Sequence, residues 1–258
     1  MFISTISRRF IVSKFPVTVI IIPSYNETLA LPKLLKELIG GLSGNDAIIV
    51  VDDSPTVVST EIASSCRDIM RNSECSFRFI ANGKKTGRGA AIRSGMQLAI
   101  TDFPSFVSVI ECDADGSHQS RDILRLRNLQ TSVDLVVGSR YLPESRITGW
   151  PVSRRIFSYV LNILIPKLLD VPLRDITNGL RKYSKRAVNQ ILLTPQKHSG
   201  FIFLSEQAVI LNRSGFSMLE IPIEFIDRSF GNSTVTLNEV KNSIFGVIKL
   251  IFKDSKRD

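Results

Sequence analysis

Residues 17–27 read Val17-Thr18-Val19-Ile20-Ile21-Ile22-Pro23-Ser24-Tyr25-Asn26-Glu27. The run 17–22 has almost no polar alternation, which suits a strand buried on both faces, and Pro23 closes it. Leu31, Leu34, Leu35 and Leu38 then share one helical face, and Gly40-Gly41 stops that helix. The alternation continues with strands over 47–51, 77–81, 106–110 and 133–137. Helices are expected over 56–70, 89–100 and 120–129, the last opened by a Ser120 cap. Strand and helix in turn are the mark of a Rossmann-like α/β domain with a mostly parallel sheet flanked by helices. After Gly138 the pattern loosens. It gives a long helix from about 153, a short strand around Leu180, a helix near 203–211, a strand pair within 216–225 and an amphipathic helix from about 237. No repeat, low-complexity tract or linker interrupts it, so one domain over 1–258 is expected.

In open α/β sheets ligands bind at the carboxyl ends of the strands. Polar residues collect at those ends: 23–27 (Pro-Ser-Tyr-Asn-Glu), 52–55 (Asp-Asp-Ser-Pro), 82–89, 111–115 (Glu-Cys-Asp-Ala-Asp) and 138–141 (Gly-Ser-Arg-Tyr). Asp113 and Asp115, two residues apart after a buried strand, can turn toward one divalent cation; hard oxygen ligands suit Mg²⁺ or Mn²⁺ bridging a diphosphate. Gly87-Arg88-Gly89 fails as a dinucleotide fingerprint, because Ile92 stands at the third glycine position and the loop follows the third strand. It reads instead as a helix N-terminus open to close backbone approach, with Lys85 nearby.

Net charge is +9, and residues 140–198 hold eleven Lys or Arg against three acids. That block calls for an anionic partner, whether phosphate, nucleic acid or membrane surface. A nucleic-acid module is disfavoured, because it leaves the strand-end carboxylates unexplained. Three cysteines without a CxxC pair exclude a disulfide framework and point to a reducing compartment. No stretch is long and apolar enough to span a bilayer. The 242–258 tail, with Ile244, Val247, Ile248 and Ile251 on one face and Lys249, Lys253, Lys256 and Arg257 beside them, reads as an interfacial helix. The basic N-terminus lacks a cleavage site and is read as uncleaved, so the expected location is cytoplasmic, peripheral on an anionic membrane face.

The ordered motifs PSYNE (23–27), VDDSP (51–55), NGKKTGRGAA (82–91), DAD (113–115), GSRY (138–141), GW (149–150), SRR (153–155), DITNG (175–179) and EIPIEFIDRSFGNS (220–233) carry a resemblance. Over about residues 17–238 the chain resembles the family 2 inverting glycosyltransferases of GT-A fold, within them the dolichol-phosphate mannose synthases and bacterial polyprenyl-phosphate hexose synthases. The resemblance implies a metal-dependent transfer of a hexose, mannose before glucose, from GDP-mannose or UDP-glucose to a polyprenyl or dolichyl phosphate. It implies a nucleotide-sugar half (17–138), an acceptor-side half (139–235) and a membrane-interfacial tail (236–258). Pro23, Tyr25, Glu27, Asp52, Asp53, Lys85, Asp113 and Arg228 would hold the nucleotide sugar. Asp113, Asp115 and Ser117 would surround Mg²⁺ or Mn²⁺, and Arg140, Arg154 and Ser158 would grip the acceptor phosphate. Asp175 stands where the family has an acidic residue and, with Asp113, Asp115 and Arg228, completes the implied catalytic set. The chain departs from the pattern at Thr234, where lysine is usual, and at Asn178-Gly179-Leu180, where Ser-Gly-Phe is.

An acceptor phosphate is already ionised and needs little general-base help, which fits a rim rich in carboxylates and arginines. His118 follows the DAD loop but is read as structural. The rival reading is a family 2 transferase acting on a saccharide hydroxyl, with Asp175 as base. The sequence leaves that rival open.

Overall fold

The computed structural model describes residues 17–197 and 202–227. In chain order the elements are β1 (Thr18–Ser24), α1 (Ala30–Ile39), β2 (Ala47–Asp52), α2 (Thr56–Met70), β3 (Ser76–Ala81), α3 (Arg88–Asp102), β4 (Ser108–Glu111), α4 (Ser120–Asn128) and β5 (Leu135–Ser139). There follow β6 (Arg146–Thr148), α5 (Val152–Leu168), β7 (Arg181–Ser184), α6 (Lys185–Leu193), α7 (Ile202–Arg213), β8 (Met218–Pro222) and β9 (Glu224–Ile226). Seven strands form one sheet in the order β3-β2-β1-β4-β7-β5-β8, and β6 and β9 pair in a small parallel sheet.

The continuous apolar strands are buried on both sides, and successive residues serve opposite cores. Val19 and Ile21 pack with Ile92 and Met96 of α3 and with Ala187 and Val188 of α6, all within one core. Ile20 and Ile22 join Leu31 and Leu35 of α1, Ile62 of α2 and Ile123 of α4 in the other. Truncating such a side chain to alanine costs about 2–5 kcal/mol.

Several expectations are corrected. Ser120 is the first residue of α4 rather than its cap; Gln119 precedes it and makes no side-chain cap hydrogen bond. The strands within 216–225 do not pair with each other, since β8 joins β5 and β9 joins β6. Helix α6 and strand β6 were not expected at all. The decisive difference is β7, which runs antiparallel to both β4 and β5. Its first residue, Arg181, therefore stands opposite Glu111 at the end of β4 and Val137 near the end of β5. An antiparallel strand enters where its neighbours leave, so the 175–180 turn is delivered to the carboxyl rim where the other polar residues collect.

Candidate active site

The rim begins with β1, β2 and β3. Asp52 accepts from the Ser54 hydroxyl at 2.9 Å, and the same hydroxyl accepts the Asn26 amide N–H at 2.7 Å, tying the turns after β1 and β2 together. Asn26 sits at φ 60°, a conformation that asparagine tolerates better than most residues. Asp53 is buried and accepts from Asn82 Nδ2 at 2.8 Å, the Thr86 amide at 2.7 Å and the Gly87 amide at 2.8 Å. It therefore holds the loop after β3. That loop carries Lys85, whose ammonium lies 5.2 Å from the Tyr25 ring centroid, within cation–π range. Pro23 and Glu27 are half-buried on the same rim.

The turn after β4 carries the carboxylate pair. Asp113 Oδ1 accepts from Arg88 Nε at 2.8 Å, and Asp115 Oδ1 accepts from the Ser117 amide at 3.0 Å. Burial opposes ionisation of Asp113, but Arg88 outweighs it and holds the carboxyl at about 2. Ser117 Oγ is buried with no hydrogen-bond partner, an orphan oxygen two residues from a carboxylate. Among the described residues no group of three or more His, Cys, Asp and Glu could enclose a metal. Two carboxylates and a hydroxyl do fit a cation that takes its remaining ligands from substrate phosphates and water. His118 is structural: its Nδ1 accepts the Asp113 amide N–H at 3.0 Å, which puts the proton on Nε2, 2.8 Å from Asn178 Oδ1.

Past the end of β5, the structure joins Arg140 and Asp175. Nε donates to Oδ2 and Nη2 to Oδ1, both at 2.7 Å, and the Arg140 amide adds a third bond at 2.9 Å. Gly149, at φ 85°, turns the chain so that Trp150 packs inward; a Cβ there would stand 2.9 Å from that of Asp227. The guanidinium carbons of Arg140 and Arg154 lie 5.3 Å and 4.2 Å from the Trp150 ring centroid, so that turn brings both arginines to one side chain. Arg154 also pairs with Asp227 at 3.1 Å. Ser158 accepts from the Tyr141 hydroxyl at 2.6 Å. Arg228, His198, Ser233, Thr234 and the 242–258 tail lie outside the described residues.

Much of the basic block is spent inside the protein, which narrows the surface expected to meet an anion. Arg181 is fully buried and donates to the carbonyls of Ile176, Asn178 and Leu204. Lys182 binds the carbonyls of Leu126 and Leu129. At the surface, Arg155, Lys167 and Arg174 on or near α5 are exposed and Arg154 half-exposed, while Arg146 on β6, Arg186 on α6 (paired with Asp134) and Lys197 are exposed as well. Helix α5 buries only Asn162 and Pro166, while Val152, Ile156, Phe157, Tyr159, Val160, Ile163, Leu164 and Leu168 are exposed. Among the described residues no helix is long and apolar enough to cross a membrane.

Sequence reasoning missed Arg88, Glu111, Asn178 and Arg181. Arg88 links Asp113 to Glu111 and to the Gly179 carbonyl, and Asn178 links His118 to the Gly138 carbonyl. The available signal was a glutamate ending an otherwise apolar buried strand.

The sequence matches Glycosyl transferase family 2 over residues 19–192. The chain belongs to that family. Its fold is that of GT-A glycosyltransferases, and the protein is a family 2 glycosyltransferase. Among family relatives, an undecaprenyl-phosphate mannosyltransferase of Micrococcus luteus is 29% identical over 229 residues, 89% of this chain and 91% of that one. A polyprenol monophosphomannose synthase of Mycolicibacterium smegmatis is 29% identical over 234 residues, 89% of this chain and 85% of that one. Among solved structures, the glucosyl-3-phosphoglycerate synthase of Mycobacterium tuberculosis, in complex with Mn²⁺, UDP and glucosyl-3-phosphoglycerate, superposes with a TM-score of 0.59 at 14% identity. That likeness covers 92% of this chain and 79% of that one.

Proposed function

We propose that this family 2 enzyme transfers mannose from GDP-mannose to a polyprenyl phosphate at a membrane surface. The observation that carries the reading is the placement of Arg140 and Arg154 around Trp150, at the foot of an exposed apolar helix. The names of the two relatives support mannose and a polyprenyl phosphate. The donor belongs to the 17–138 half, where Tyr25, Asp52, Asp53 and Lys85 meet. The acceptor belongs to the 139–235 half, with Arg140, Arg154 and Ser158 around its phosphate.

Asp113, Asp115 and Ser117 would hold Mg²⁺ or Mn²⁺, which when bound neutralises charge on the departing diphosphate. The protein's own share is alignment. Arg154 presents a planar fork suited to phosphate oxygens, and Trp150 fixes its plane. With an ionised acceptor, no side chain need remove a proton, and both Asp175 oxygens are engaged by Arg140. This favours a phosphate over a hydroxyl acceptor. The apolar flank of α5 with Arg155 and Lys167 suits peripheral contact with an anionic bilayer. A donor screen with a short polyprenyl phosphate tests the reading: turnover with GDP-mannose is expected, and turnover with UDP-glucose alone would reassign the sugar.

A further inference from the structure

Beneath the carboxylate pair lies a charged group that no catalytic role above uses. Glu111, the last residue of β4, is fully buried. Its Oε1 accepts from the Tyr183 hydroxyl at 2.8 Å and lies 3.9 Å from Nε of buried Arg181, and its Oε2 lies 3.4 Å from Arg88 Nη1. Arg88 spends its other donors on Asp113 Oδ1 at 2.8 Å and on the Gly179 carbonyl at 3.1 Å. A Cβ on Gly179 would collide with the Arg88 guanidinium and stand 3.2 Å from Asp113 Oδ1, so glycine is required for this arrangement. Burial works against the charge on Arg88, but Asp113 and then Glu111 outweigh it and push its pKa up, so the guanidinium stays charged.

A permanent cation bonded to a metal-binding carboxylate poses an electrostatic problem, since it repels the divalent ion that the same carboxylate must attract. Glu111 resolves it. A buried acid 3.4 Å from Arg88 and 3.9 Å from Arg181 offsets part of the positive charge that Arg88 brings. Asp113 then keeps its own charge for the ion while Arg88 fixes one of its oxygens. We propose that Glu111 and Arg88 are positioning residues acting as a unit: Arg88 commits Asp113 Oδ1 to the protein and leaves Oδ2 for the cation, and Glu111 offsets the charge that Arg88 brings to the site. The inference rests on the reading of Asp113 and Asp115 as the cation site.

The test measures Mn²⁺ affinity of the whole chain by electron paramagnetic resonance titration without donor, so turnover is not the readout. Glu111→Gln keeps the shape of the side chain but removes the buried negative charge beside Arg88 and Arg181. It should weaken Mn²⁺ binding by on the order of tenfold. Adding Arg88→Met removes the cation bonded to Asp113, and E111Q/R88M should bind Mn²⁺ several-fold more tightly than E111Q alone. A purely structural role would make the double variant no better than the single one. If E111Q does not fold, Arg88→Lys in the native background serves instead. It keeps a cation beside Glu111 but gives up the Nε bond to Asp113 Oδ1, and should weaken Mn²⁺ binding several-fold. Wild-type affinity in E111Q or in R88K, or absence of recovery in the double variant, would each overturn the inference. Failure of the wild-type protein to bind Mn²⁺ would instead sink the cation site itself.

Discussion

Arg140 and Asp175 form a bidentate ion pair at 2.7 Å on both arms, with Asp175 fully buried and Arg140 almost so. The pair bridges the end of β5 to the turn before β7, and it sets what each residue can do. Asp175 already shares both oxygens with a guanidinium, so it is poorly placed to take a proton from a hydroxyl acceptor. Removing one partner of a buried pair leaves an uncompensated charge, at a cost of about 3–5 kcal/mol. Asp175→Ala should therefore lower the thermal midpoint clearly, as differential scanning calorimetry would record. An Asp175→Ala protein as stable as wild type would mean that the pair is not a structural tie.

Arg154 is the more exposed of the two arginines around Trp150. Arg154→Lys retains charge but loses the planar fork, and each charge-assisted bond lost is worth about 1.5–3 kcal/mol. The KM for polyprenyl phosphate should rise about tenfold or more, with nucleotide-sugar affinity unchanged by calorimetric titration. An unchanged acceptor KM would remove Arg154 from the acceptor site.

Helix α5 should anchor the protein on anionic vesicles. Ile156→Asp with Ile163→Asp takes two apolar side chains, each worth about 1.5–3 kcal/mol when fully buried, out of the interface. Co-sedimentation with vesicles containing phosphatidylserine should fall sharply while the circular dichroism spectrum stays the same. Vesicle binding that persists in this variant would assign attachment to another part of the chain.

The Asp113 carboxyl is held at about 2, below the unfolded value near 3.9. A depressed folded pKa contributes stability that is present above the unfolded value and is lost as pH falls through the folded one. Comparing urea midpoints of wild type and Asp113→Asn, the difference should be constant above about pH 5 and shrink steadily toward about pH 2. A difference that does not narrow on acidification would contradict the Arg88–Asp113 pairing.

The sequence revealed the strands, because buried parallel strands read as unbroken apolar runs, and their polar ends revealed the rim. Helix α2 falls on the expected residues 56–70, and β1 and β2 lie within two residues of expectation. Strand β7 was hidden in direction rather than in place, since a four-residue strand looks the same run either way. The Arg88–Glu111–Asp113 and Arg140–Asp175 groups were illegible for another reason. Each depends on a contact between residues far apart in sequence, Arg88 with Asp113 and Arg140 with Asp175, which carry no period and meet only in the folded sheet. The same blindness made the basic block look wholly external, although Arg181 and Lys182 serve backbone carbonyls inside the protein.

The central claim is that mannose goes to a lipid phosphate under the control of the Asp113–Asp115 turn. The direct measurement incubates the purified full chain with radiolabelled GDP-mannose, a short polyprenyl phosphate and Mn²⁺, then counts label extracted into organic solvent. The account predicts label in the lipid phase for the wild type, none for Asp115→Ala at unchanged thermal midpoint, and loss on chelation. Label that enters only a saccharide acceptor, or lipid labelling that survives Asp115→Ala, would contradict it.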